Sequence, residues 1–150
     1  MEQALEINPK FIDWLKETVV AEEGCFETLE HLHQKGYRLV VATNGANQAI
    51  EAKLTKINCR QFINNTFSAD MTKECVTKPN PIYFDELLDY LNYHDRNKIL
   101  LIGDSLHSEV QGGINAGIDT CWYNRNQNMT PSDCTPTMEI YKLKELTKKL

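Results

Sequence analysis

Apolar positions along this chain alternate between two spacings. Asn8-Pro9 reads as an N-cap followed by a first-turn proline, and Phe11, Ile12, Leu15 and Val19 then form one apolar stripe at helical spacing. A second stripe, Phe26, Leu29 and Leu32, stops at Gly36, a left-handed cap. Arg38 to Ala42 is short, continuous and rich in Leu and Val, the pattern of a buried strand. Ile50, Leu54 and Ile57 return to helical spacing over 46–57, and Thr66 to Ala69 reads as another short strand. Asn80-Pro81 opens a capped helix that turns Phe84, Leu87, Leu88 and Leu91 inward. Lys98 to Ile102 is the clearest strand, and Ser108 with Gln111 marks a capping box for a helix ending at Gly117. Thr120 to Tyr123 is a further strand, 124–136 a loop rich in Asn, Thr and Pro, and a short strand near Met138–Tyr141 precedes a closing helix.

Buried strands alternating with amphipathic helices predict an α/β fold, a three-layer doubly wound parallel sheet with helices on both faces. Ligands in such sheets bind outside the carboxyl ends of the strands. Thr43 and Asp104 sit at predicted strand ends, and Lys78 lies in a loop after another strand.

Composition narrows the function classes. The 150 residues are one domain by length, with 41% hydrophobic and 25% charged residues, an ordinary globular balance. A net charge of −5 without a Lys/Arg cluster argues against a nucleic-acid partner. Lys142, Lys144, Lys148 and Lys149 near the last helix end complement its dipole. No apolar run approaches the ~20 residues of a membrane span, and Met1 leads into a polar stretch rather than a secretory signal. The five cysteines are odd in number and form no C-x-x-C, which fits reduced thiols in a cytoplasmic protein. His31 and His33, two apart on a helix, point to different faces and read as surface residues.

Three strand-end features carry candidate chemistry. The strand Leu100-Leu101-Ile102-Gly103 ends in Asp104, and a carboxylate there is costly unless it pairs or binds a cation. Mg²⁺ suits it, since that ion takes one or two carboxylates and fills its remaining positions with water and substrate phosphate. Glu109, five residues on, is a direct or water-mediated second acid. The simpler reading makes Asp104 a turn-former and Glu109 a helix N-terminal acid. Thr43 offers a hydroxyl, and the backbone N–H groups of Asn44 and Gly45 with the start of the following helix make a phosphate cradle. The same Asn-Gly turn also serves purely steric ends. Lys78, held extended before Pro79, places an ammonium where it can neutralise a phosphoryl group. A competing motif, Gly103-Asp104-Ser105-Leu106, spells the signature of GDSL-type esterases. Its Ser105 and His107 share one tight turn, however, and leave no separate acid for a triad.

In their order along the chain, Thr43, Lys78 and Gly103-Asp104 resemble the haloacid dehalogenase-like hydrolase superfamily. Thr43 matches its second motif, Lys78 its third and Asp104 its fourth. The stretch Gly103 to Asn124, with Gln111-Gly112-Gly113-Ile114-Asn115-Ala116-Gly117, is similar to the pyrimidine 5'-nucleotidase branch. Residues 1–20 look like the last helix of that branch's helical cap, and 21–150 like its core. The resemblance implies a Mg²⁺-dependent phosphohydrolase acting on a nucleoside monophosphate or a similar small phosphorylated metabolite. In it an aspartate nucleophile takes the phosphoryl group and a second aspartate two residues later acts as acid and base. The threonine binds phosphate, the lysine steadies nucleophile and phosphate, and the fourth-motif aspartate holds Mg²⁺.

The chain departs from that pattern twice. Glu109 stands where an aspartate is usual, and no D-x-D pair occurs in the 150 residues. Asp13 is the only aspartate before Thr43, inside an amphipathic helix. The family's first strand, which carries the D-x-D, lies between the strands that end at Thr43 and Ile102. The expectation is therefore a Rossmann-like core lacking its first, central strand. The chain would be a truncated phosphatase, inactive alone, whose remaining partner is an N-terminal segment. The alternative is a non-catalytic phosphate-binding or interaction module.

Overall fold

The computed structural model describes residues 8–150, so the first seven residues of the expected cap helix lie outside it. The chain divides into two compact units, up to Val76 and from Thr77 onward.

In the first unit, α1 (Pro9–Thr18) starts as its sequence predicts, with the Asn8 side chain accepting from the Lys10 N–H at 3.0 Å. Its stripe is narrower than the spacing implies. Ile12 and Leu15 are buried, whereas Phe11 stacks on Trp14 with both rings largely in solvent. α2 (Cys25–Gln34) is followed by Gly36 at φ 83°. β1 (Val40–Thr43) pairs in parallel with β2 (Asn65–Ser68), placing Thr43 opposite Ser68, and α3 (Asn47–Lys56) connects them. Leu54, Cys59, Phe62 and Ile63 form the core here, with Leu29, Val41 and Ile50 packed against it.

In the second unit, α4 (Pro81–Leu91) is capped by the Asn80 side chain, which accepts from the Ile82 N–H at 3.0 Å. Tyr83, Phe84, Leu87 and Leu88 are its buried residues. β3 (Leu100–Gly103), β4 (Asp119–Tyr123) and β5 (Met138–Ile140) form a parallel three-stranded sheet in that order, with Gly103 opposite Trp122. Among the described residues the strands thus make two separate sheets, one in each unit. Parallel strands joined through helices are the α/β pattern expected from the sequence.

The helix after β3 corrects a boundary. Leu106–Gln111 is wound as a π-helix that continues into α5 (Gly112–Asn115). Val110 N–H reaches back five residues to the Ser105 carbonyl at 3.2 Å. The cap is Ser105, not Ser108: its hydroxyl accepts from the Ser108 N–H at 3.0 Å. The wider turn shifts the reciprocal acid by one place, so that Glu109 Oε2 accepts from the Ser105 N–H at 3.2 Å. π-turns of this kind concentrate at functional sites.

The C-terminal α6 (Leu146–Lys149) is preceded by a tight turn in which Glu145 Oε1 accepts from the Tyr141 and Lys142 N–H groups at 2.8 and 2.9 Å. These two backbone donors hold the Glu145 carboxyl below its ordinary value of 4.5. Such an acid stabilises the fold above its unfolded pKa and loses that contribution as pH falls through the lower folded one. Glu145→Gln keeps an accepting oxygen but loses the charge, and is expected to cost up to about 1 kcal/mol at neutral pH. Urea unfolding from pH 7 down to pH 3 should show the gap to the parent closing only below about pH 4.5. A gap constant across that range would refute the assignment.

No helix of the described residues is long and apolar enough to cross a membrane. All five cysteines are free, and burial pushes the Cys25 and Cys121 thiols up to about 11, which suits packing rather than nucleophilic chemistry.

Candidate functional site

The first unit carries Thr43, Asn44 and Gly45 at the carboxyl end of β1. Gly45 N–H donates to Thr43 Oγ1 at 3.0 Å. The hydroxyl oxygen is the acceptor in that bond. The start of α3 behaves differently from the cradle expected of it. Asp70 places both carboxylate oxygens on the Asn47 N–H, at 3.2 and 3.1 Å, and also accepts from the Ser68 hydroxyl. The positive end of α3 is thereby complemented by a residue of this chain. The Thr66 hydroxyl lies within reach of Asn47 Oδ1 and Glu51 Oε1, and Glu51 Oε2 accepts from Arg60 Nε at 2.8 Å. Asp70 gave no signal in the sequence, because its partner is 23 residues away.

The second unit brings Lys78, Asp104 and Glu109 to the carboxyl end of β3. Lys78 is buried, and its Nζ lies 2.6 Å from Glu109 Oε1. The other Glu109 oxygen takes the Ser105 N–H, so both are engaged. Two glycines make this possible by allowing close approach. A Cβ on Gly103 would stand 2.0 Å from Glu109 Cγ, and one on Gly112 would stand 3.2 Å from Pro79 Cα. The Lys78 loop therefore lies against the start of α5, with Glu109 folded over the end of β3. The Lys78–Pro79 peptide is cis.

Asp104 stands apart from that pair, with its carboxylate more than half exposed. Its Oδ2 is 2.9 Å from Arg125 Nη2, and its carbonyl accepts from the Trp122 indole N–H at 3.1 Å. Arg125 also lies over the Tyr123 ring, 5.9 Å from its centroid. Sequence reasoning missed Arg125, a single basic residue in a loop. Ser105, the serine of the esterase-like signature, caps the π-helix through its Oγ, which accounts for it without nucleophilic chemistry.

Among the described residues no group of three or more His, Cys, Asp or Glu is placed to hold a metal. One exposed carboxylate at a strand end fits Mg²⁺, which keeps most of its waters. Asp104 meets that requirement, and the engaged Glu109 stands behind it.

The chain matches the family model of haloacid dehalogenase-like hydrolases over residues 3–123. It is 31% identical over 123 residues to the pyrimidine 5'-nucleotidase PynA of Streptococcus pneumoniae, covering 82% of this chain and 51% of that protein. It is 28% identical over 141 residues to the pyrimidine 5'-nucleotidase YjjG of Escherichia coli, covering 94% and 61%. The crystal structure of the HAD-hydrolase YfnB from Bacillus subtilis, bound to magnesium, superposes with a TM-score of 0.86 at 30% identity, covering 94% of this chain and 60% of that one. The chain thus spans between half and about three-fifths of the length of these relatives. Its Rossmann-like α/β fold is that of YfnB, and the chain belongs to the haloacid dehalogenase-like hydrolases, in the branch that holds the pyrimidine 5'-nucleotidases.

Proposed function

We propose that these residues form the phosphate-, lysine- and metal-bearing part of a cytoplasmic Mg²⁺-dependent phosphohydrolase acting on a nucleoside monophosphate or a similar small phosphate monoester. The observation that carries the reading is the buried Lys78–Glu109 pair set beside an exposed Asp104 at the end of β3. A lysine held this way is a fixed positive charge, and fixed charges cost no reorganisation when a phosphoryl group develops negative charge. Thr43 and the Asn44 and Gly45 backbone supply the phosphate contacts of the reading, with Lys78 the neutralising cation. Asp104 would hold Mg²⁺, and Glu109 would act beside it by fixing Lys78 and the Ser105 N–H. When bound, that ion supplies charge neutralisation on the phosphoryl oxygens. Residues 1–20 are read as the end of a cap and 21–150 as the core, with substrate choice residing largely in the cap.

The absence of any D-x-D pair favours a second statement: the 150 residues bind a phosphate ester without turning it over. With Mg²⁺ and a pyrimidine nucleoside monophosphate, the chain alone should release no phosphate above the blank. Joined behind a segment that carries an apolar strand ending in D-x-D, it should gain activity. Asp104→Ala should then remove about 100-fold or more of that activity. Turnover by the chain alone would refute the need for a separate nucleophile. A joined protein that binds nucleotide yet stays inactive would favour the non-catalytic binding module.

A further inference from the structure

Arg125 stands at the Asp104 end and is left unused by the proposed chemistry. Its guanidinium meets Asp104 Oδ2 at 2.9 Å through Nη2 and rests over the Tyr123 ring. Both side chains of the ion pair are about half exposed. A pair so placed is worth little and is readily exchanged for a stronger partner. Beside it lies an open polar recess of about 90 Å³ lined by Asp104, Asn124, Arg125, Asn126 and Asn128. The backbone around it is fixed. Trp122 holds the Asp104 carbonyl, and the buried Asn124 side chain donates to the Asn128 carbonyl at 2.8 Å and accepts from the Asn128 N–H at 2.9 Å.

We propose that Arg125 is an anion-binding residue of this site: its guanidinium and a divalent cation are mutually exclusive partners of Asp104, and cation binding releases Arg125 to pair with the phosphoryl oxygens of the ligand. Two positive groups do not share one exposed carboxylate without repulsion, and Asp104 gives a hard divalent cation a better partner than a guanidinium. A guanidinium released from Asp104 is matched to phosphate by its planar fork of donors. Its contact with Tyr123 keeps it close to the position it leaves.

The inference rests on Asp104 as the cation ligand, and one titration separates the two ideas. Mn²⁺ binding is read from the loss of its free-ion paramagnetic resonance signal, on the parent chain, Arg125→Ala, Arg125→Gln and Asp104→Asn, with and without inorganic phosphate. Both Arg125 variants should bind Mn²⁺ about twofold to fivefold tighter than the parent, a gap that narrows as salt is raised. Phosphate should tighten Mn²⁺ binding more in the parent than in either Arg125 variant, since the linkage between them runs partly through the guanidinium. Equal Mn²⁺ affinity in parent and Arg125 variants, with binding lost in Asp104→Asn, would overturn the role of Arg125 and leave Asp104 as the ligand. Unchanged binding in Asp104→Asn, or none in the parent, would overturn the ligand assignment itself. Urea midpoints of the four proteins show whether all remain folded.

Discussion

Lys78→Met should lower the stability of the chain by about 3 kcal/mol, and adding Glu109→Gln should return most of it. The Lys78 side chain is only 5% exposed and that of Glu109 14%, with nitrogen and oxygen 2.6 Å apart. Removing the ammonium leaves a carboxylate in a nearly dry position, supported only by the Ser105 N–H. That uncompensated charge, rather than the worth of the pair, sets the cost. Neutralising the partner removes the charge and leaves an amide that still accepts from Ser105. The magnitude is placed at the low end of what broken buried pairs cost, because Glu109 retains some contact with water. Domains of this size have only about 5–15 kcal/mol to lose, so the shift in urea midpoint is readily measured. A cost below about 1 kcal/mol for Lys78→Met would mean that solvent screens the pair. The fixed positive charge on which the proposed function depends would then be lost as well.

Gly103→Ala should cost about 2–3 kcal/mol, the upper range for overpacking, although a single methyl is added. The new Cβ would sit 2.0 Å from Glu109 Cγ, 2.7 Å from its Cβ and 2.8 Å from its Cδ. These atoms form the root of the side chain, so a turn of its far end gives no relief. Either Glu109 leaves Lys78 and Ser105, or β3 moves from its register with Trp122. Gly45→Ala is the control: its Cβ would meet Thr43 Oγ1 at 3.4 Å, an ordinary contact, and should change stability by under about 0.5 kcal/mol. Glu109→Ala removes the nearest clashing atom, so the double variant with Gly103→Ala should lose less than the sum of the two. Additive losses would show that Glu109 does not crowd the glycine.

Both results concern the same small region, and they separate its parts. Lys78 and Glu109 form the buried charge pair, while Gly103 is the clearance that lets the acid reach it. Asp104 and Arg125 are the exposed pair beside it, screened by salt in a way that the buried pair is not. The π-turn sets the reach of Glu109: the winding places it at the fourth helical position, from which it accepts from the Ser105 N–H.

The sequence by itself determined the alternation of strands and helices and the start of each proline-led helix, because both are local. Asn8-Pro9 and Asn80-Pro81 carry their caps within two residues, and the strands ending at Thr43 and Gly103 are short apolar runs. It also put Thr43 and Asp104 at strand ends, since connectivity alone fixes which residue follows a strand. What the tertiary structure decided involves partners distant in sequence or turns that break the usual period. Lys78 meets Glu109 across 31 residues, Arg125 meets Asp104 across 21, and Asp70 occupies the start of α3 from 23 residues away. Helical spacing put Phe11 on the buried stripe, but the contact made by α1 is narrower and leaves that ring with Trp14 in solvent. Ser105 rather than Ser108 became the cap because a five-residue hydrogen-bond step replaced the four-residue step that the spacing rule assumes. Hydrophobic period encodes which face of an element is buried. Which charge reaches which depends on how far apart the folded backbone holds them, and only packing sets that distance.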